Sequence, residues 1–127
     1  MIPAITTDKL TGVLRDTIVG TVRRDGPDLS ARQLGVFLIS YLDHGPHTVR
    51  GLAAQLNVSK PAITRSLDRL EELGLARRVV DPADRRSVLV QRTREGASYM
   101  AAVRALMNES AGGKAAVAAP VERARTG

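Results

Sequence analysis

Residues 48–92, TVRGLAAQLNVSKPAITRSLDRLEELGLARRVVDPADRRSVLVQR, decide how this chain folds. Thr48 is placed to cap a helix, because its hydroxyl can accept from a first-turn amide that has no partner within the helix. Leu52, Ala53 and Leu56 follow at helical spacing, and Asn57, which tolerates a turn conformation, marks the stop. Val58 reads as an apolar plug, Ser59 as the next cap. Pro61 falls in the first turn, where a missing N–H costs no internal hydrogen bond. Ile63, Leu67 and Leu70 share one face at steps of four and three, leaving Pro61, Thr64, Arg65 and Asp68 toward the other. Gly74 ends this second helix, since glycine takes the left-handed cap conformation at little cost.

Leu75 to Val80 and Arg86 to Arg92 then read as two strands, with Val88 and Val90 on one side of the second and Ser87, Leu89 and Gln91 on the other. Between them DPADRR makes a charged turn that carries Arg85 and Arg86 at or near its tip. Asp81 and Asp84 have the wrong sign for touching phosphate and fit better as acceptors that hold the arginines and the loop in shape. Two helices, a turn and a hairpin in this order make a helix-turn-helix followed by a wing.

The second helix has small residues at its leading end, which suits entry into a major groove about 12 Å wide. Arg65 suits a bidentate contact with guanine, Thr64 a base edge or a phosphate, and Ser59 and Lys60 the backbone. Pro61 and Arg69 complete the candidate DNA-binding set on this helix, with Arg85 and Arg86 on the wing. A thin projection carrying arginine fits the minor groove, whose negative potential attracts guanidinium groups. The competing reading of the same helix face is a solvated surface with no partner.

LAAQLNVSKPAITRSLDRLEELGLARR followed by DPADRRSVLVQRTREG resembles the MarR family of bacterial transcription regulators over residues 29–96. Asp84, Arg85 and Arg86 in the wing, with Thr93 and Gly96 opening the next helix, are more specific than a generic helix-turn-helix. The resemblance implies a homodimer on palindromic or pseudopalindromic DNA, often responsive to small aromatic or phenolic ligands, oxidants or metals. It implies that Ser59 to Arg65 begin the recognition helix, that Arg86 is the minor-groove arginine and that Asp84 braces it. Arg92 departs from the pattern, which usually has leucine there. Its stem can be buried while its head stays wet, and looser packing at the base of the wing is expected.

A length of 127 residues with 43% hydrophobic content supports one domain with a folded core. One Phe and two Tyr make an aromatic cage or a stacking platform for single strands a poor fit. The net charge is +6, and residues 47–94 hold ten basic side chains against five acidic ones. The charge is thus concentrated where the groove-binding geometry is inferred. Double-stranded RNA has a deep, narrow major groove that would not admit such a helix, so double-stranded DNA is the expected partner. There is no cysteine, hence no disulfide framework or thiolate site. No run has the length and apolarity of a membrane span, and the start lacks a signal-peptide pattern, so the expected location is cytoplasmic without membrane contact.

Outside the central stretch, Leu10, Val13, Leu14, Ile18 and Val22 predict a helix from Thr7 or Asp8 to about Arg23. Ser30 and Gln33 form a capping box ahead of Leu34, Phe37, Leu38 and Tyr41. Phe37 reads as core. Tyr41 reads as core or interface, or as a ligand-binding candidate with its hydroxyl in a cavity. His44 and His47 lack the neighbours that would complete a metal site, and no cofactor is expected. Thr93 caps a last long helix with a stripe rich in small residues; Gly112 and Gly113 end or interrupt it, and Lys114 to Ala119 can make one more short helix.

The expected fold class is mainly α with a small antiparallel β wing, in one MarR-like domain over 1–127. Its winged helix-turn-helix core spans 29–92, and helices at 8–23 and 94–119 dimerise it. The expected function is a sequence-specific double-stranded DNA-binding transcriptional regulator. It is read as a repressor, as a homodimer on an inverted-repeat operator, and as a responder to a small-molecule effector. The alternative is a winged-helix module for protein contacts without specific DNA binding, which leaves the wing charges idle. An enzyme is not expected, because no nucleophile–base set, phosphate-cradling glycine loop or metal cluster appears.

Overall fold

The structure, a computed structural model, describes residues 5–112, so the expected short helix at 114–119 lies outside the described residues. The described residues form α1 (Thr7–Arg23), α2 (Ala31–Leu42), β1 (His47–Thr48), α3 (Val49–Leu56), α4 (Lys60–Glu72), β2 (Ala76–Asp81), β3 (Asp84–Arg92) and α5 (Arg94–Ser110). This is the mainly helical architecture with a small antiparallel wing that the sequence predicts. The chain divides into two compact units, one of residues 29–100 and one of 1–28 with 101–127, so the boundary falls within α5.

In the unit of residues 29–100, helix ends are set by the side chains that the sequence nominates. Ser30 and Gln33 form the capping box of α2, and Thr48 and Ser59 accept from Gly51 and Ala62 to cap α3 and α4. Asn57 adopts the left-handed conformation (φ 57°, ψ 47°), and the Val58 amide reaches back to the Ala53 carbonyl at 3.0 Å. Gly74 does the same after α4 at φ 75°, where the Leu75 amide donates to the Leu70 carbonyl at 2.8 Å. Both wraps satisfy helix-end carbonyls while turning the chain sharply.

The core of this unit is built on Val36 and Phe37 of α2, Leu52 of α3, and Ile63, Leu67 and Leu70 of α4, each at most 1% exposed. Burying a side chain of this size is worth about 1.5–3 kcal/mol. Three such residues on one side of α4 hold that helix in a fixed orientation.

The sheet has the order β1-β3-β2, all antiparallel. Two features differ from the sequence reading. A third strand exists, in which His47 and Thr48 pair with Val90 and Leu89. Two residues are too few for alternation to be visible. Also, β3 starts at Asp84 rather than Arg86, since Asp81 Oδ1 accepts from the Ala83 amide at 2.9 Å and closes the turn over Pro82 and Ala83. Being the middle strand, β3 has Ser87 to Val90 half-buried in sequence, without the simple two-sided alternation.

In the other unit, α1 begins at the Thr6 cap and has Val13 and Thr17 as its buried residues. Gly20 lies so close to α5 that a β-carbon there would meet Leu106 Cδ2 at 2.6 Å. Asp16 accepts from the Ser110 hydroxyl at 2.6 Å. The outer side of α1 is apolar and uncovered: Leu10, Leu14, Ile18 and Val22, at steps of four, are 53%, 62%, 43% and 60% exposed.

Candidate nucleic-acid interface

With Ile63, Leu67 and Leu70 buried, α4 turns Lys60, Pro61, Thr64, Arg65, Asp68 and Arg69 outward. Ser59 stands at its start, its Oγ accepting from the Ala62 amide at 3.2 Å. The hydroxyl proton is left for another acceptor. Lys60 and Arg65 have no ion-pair or hydrogen-bond partner among the described residues. Arg69 is paired with Glu72 at 3.2 Å on the exposed surface, a bond that solvent weakens.

On the wing, Arg85 and Arg86 are exposed beside the turn. Asp84 Oδ1 accepts from the Arg86 amide at 3.1 Å and faces its Nε at 3.5 Å, while Oδ2 accepts from Ser87 Oγ at 3.4 Å. Asp84 therefore shapes the strand start, and the Arg86 side chain remains 91% exposed. Asp81 serves the neighbouring turn in the same way.

Arg78 is counted among the basic residues by the sequence, but the fold takes it out of the free positive charge. Its Nε and Nη2 donate to Glu71 Oε1 at 2.9 and 2.8 Å, and Nη2 also donates to Asp68 Oδ1 at 2.7 Å. Burial pulls the guanidinium pKa down, and the hydrogen bonds and charges of Glu71 and Asp68 outweigh it, so the net shift is upward. The result ties β2 to α4 and so sets the wing against the helix. Between them lies an open cleft of about 500 Å³, bordered by Arg50 of α3, Lys60 and Thr64 of α4, and Arg78 and Arg86 of the wing.

Tyr41 sits elsewhere. Its hydroxyl donates toward the Leu75 carbonyl at 2.9 Å, with the Thr93 carbonyl at 3.3 Å, and accepts from the Thr93 amide at 2.9 Å. Its ring stacks on Phe37 with centroids 4.4 Å apart. The polar atom that made Tyr41 a ligand-binding candidate is thus occupied by backbone, and the residue joins α2 to the start of β2 and of α5. Arg92 corrects the expectation of looser packing at the wing base. Its Nε donates to the Ser40 carbonyl at 2.9 Å, Nη2 to that of Asp43 at 3.4 Å, and its guanidinium lies 5.6 Å from the centre of the Tyr41 ring. No basic residue occupies the last turn of α2, so Arg92 supplies the positive group favoured at a helix C-terminus from the sheet instead. Only its departure from the usual pattern marked it in the sequence.

An exposed helix held by its apolar side, a hairpin projecting beside it and exposed cations on both define a winged helix-turn-helix of the kind that engages a nucleic-acid duplex. A model described as "MarR family" matches residues 28–87. Solved structures agree with it. A MarR-family transcriptional regulator from Rhodococcus sp. RHA1 is 27% identical, covering 89% of this chain and 74% of its own at a TM-score of 0.59. CouR from Rhodococcus jostii RHA1, solved with p-coumaroyl-CoA bound, is 28% identical over 83% of this chain and 68% of its own, TM-score 0.59. The regulator Tm0710 from Thermotoga maritima shares the fold at a TM-score of 0.66, with 24% identity over 80% of this chain and 68% of its own. No curated protein sequence matches the chain. The winged helix-turn-helix of residues 28–87 is thus of the MarR type, and the chain is similar in sequence and fold to MarR-family DNA-binding transcriptional regulators. Among the described residues no helix is long and apolar enough to cross a membrane.

Proposed function

We propose that the protein is a sequence-specific repressor that binds double-stranded DNA as a homodimer on an inverted-repeat operator and releases it in response to a small molecule. The observation that carries the reading is the clustering of exposed cations on two adjacent projections. Lys60 and Arg65 stand on the outward side of α4, and Arg85 and Arg86 stand on the wing. In this reading Arg65 takes a guanine edge and Thr64 a base edge or phosphate, with Ser59, Lys60, Pro61 and Arg69 along the backbone. Arg85 and Arg86 enter the minor groove with Asp84 holding the turn.

The uncovered apolar side of α1 supports the dimer, since four exposed large side chains in one row are costly to leave in water. Two copies related by a twofold axis place their α4 helices in successive major grooves about 34 Å apart, which is why the operator is an inverted repeat. In this reading the protein works in the cytoplasm, where its duplex target lies. A ligand that prefers a spacing of the two α4 helices unsuited to DNA weakens binding by a population shift. CouR, with its bound thioester, is a similar protein in which a small molecule is held.

The test is selection of duplexes from a random-sequence pool by the purified protein, followed by mass determination free and bound and by a salt series. Recovery of an inverted repeat bound by two copies, with affinity falling as salt rises, is the expected outcome. A folded protein that enriches no sequence at any salt overturns the proposal.

A further inference from the structure

The cleft between α4 and the wing has a necessary occupant if the duplex reading holds, and the inference drawn from it rests on that reading. A major groove and its neighbouring minor groove are separated by a single sugar–phosphate strand. A protein that places a helix in one and a hairpin in the other must therefore seat that strand between the two. We infer that the open cleft of about 500 Å³ is this seat, and that Arg50 is its phosphate anchor.

The walls suit a deoxyribose–phosphate chain. Arg50, at the start of α3, borders the cleft together with Lys60 of α4 and Arg86 of the wing. Arg50 has no ion-pair or hydrogen-bond partner among the described residues. Among the cations that border the cleft, Arg78 is held by Glu71 and Asp68, and Arg50 is the unpaired one that stands on neither α4 nor the wing. Val80 and Val88 supply apolar surface between the charges, and Val80, 54% exposed, offers a sugar edge something to lie against. Standing on neither groove-entering element, Arg50 contacts phosphate and not bases. It thus contributes affinity without sequence preference.

The experiment compares the wild type with Arg50→Gln and Arg50→Lys. The probes are the tightest duplex recovered from a random-sequence pool and a mixed-sequence duplex of the same length, each over a salt series. Arg50→Gln is expected to weaken both by about tenfold, the loss of one charge-assisted contact, with their ratio unchanged. The slope of log affinity against log salt should fall in magnitude by about 0.9, while Arg50→Lys retains it. Replacing single phosphates of the selected duplex by neutral methylphosphonates should reveal a position that costs the wild type affinity and costs Arg50→Gln nothing. An Arg50→Gln protein with wild-type affinity and slope on both duplexes overturns the inference and leaves the duplex reading standing. So does a loss confined to the selected duplex, which would make Arg50 a base reader. A wild type that binds neither duplex overturns the duplex reading itself, and this inference with it.

Discussion

Arg78 of β2 and Glu71 of α4 meet through two hydrogen bonds to one carboxylate oxygen, at 2.9 and 2.8 Å, with Asp68 one turn earlier on α4 taking a third at 2.7 Å. This junction sets the wing against the helix beside it. Glu71→Gln makes the protein more positive by one charge and loosens the junction. Its expected effect is a contrast in sign: weaker binding to the selected operator, with binding to mixed-sequence DNA unchanged or stronger. The pair is partly exposed, so the stability loss should be only about 1 kcal/mol. Tighter binding to both duplexes in a fluorescence titration would show that charge alone matters there.

The Tyr41 hydroxyl fills the space where Gly96 lacks a side chain. A β-carbon at Gly96 collides with that hydroxyl and with the Leu75 carbonyl. Gly96→Ala should destabilise the protein by about 3 kcal/mol, the upper part of the usual range for overpacking. Tyr41→Phe removes the nearest collision partner, the hydroxyl, and leaves the ring carbon and the Leu75 carbonyl; it also strands the Thr93 amide and that carbonyl, at about 1–3 kcal/mol. In the double variant the two losses should sum to less than their separate values, as read from urea unfolding. Simple additivity would deny the contact.

Removing the Arg92 guanidinium takes away a hydrogen bond to Ser40 and the cation over the Tyr41 ring. Arg92→Ala should cost about 1–2 kcal/mol. Amide exchange should rise first at the C-terminal turn of α2. Unchanged protection at Ser40 to Asp43 would remove the capping role.

Leu14, the most exposed of the apolar row on α1, is the place to break self-association. Leu14→Lys is expected to sediment as a monomer at concentrations where the wild type is a dimer, with helical circular dichroism retained. An unchanged mass would move the dimer contact off this side of α1.

The Asp16 carboxyl is held below its ordinary pKa chiefly by the Ser110 hydroxyl, with Arg15 adding to the effect. A depressed folded-state pKa means that the contact stabilises above the unfolded value of about 3.9 and is lost as pH falls through the lower folded value. Ser110→Ala should therefore lower the melting temperature at neutral pH and narrow its difference from the wild type in acid. A difference independent of pH would rule out the linkage.

Most of α1 to α4 was legible from local rules. Thr48, Ser59, the capping box of Ser30 and Gln33, the left-handed Asn57 and Gly74, and the buried Ile63, Leu67 and Leu70 each follow from capping chemistry or helical period. The sidedness of α4, and with it the outward placement of Thr64 and Arg65, needs only that period. β1 was not legible, because a two-residue strand exists through its partners Leu89 and Val90 and not through its own pattern. Nor was the state of the charges. The composition counted Arg50, Arg78 and Arg92 alike, yet one borders the cleft unpaired, one is held by two carboxylates and one caps α2.

The amino-acid sequence by itself determined the helices, their ends and the order of helix, turn, helix and hairpin, because those depend on interactions within a few residues along the chain. Only the tertiary structure decided which arginines are free to meet a duplex and which are structural, and why position 96 must be glycine. Those outcomes depend on partners brought together from distant parts of the chain: Arg92 with Ser40, and Tyr41 with Leu75 and Thr93. A side chain's type sets what it can bond to, and the fold sets what it meets.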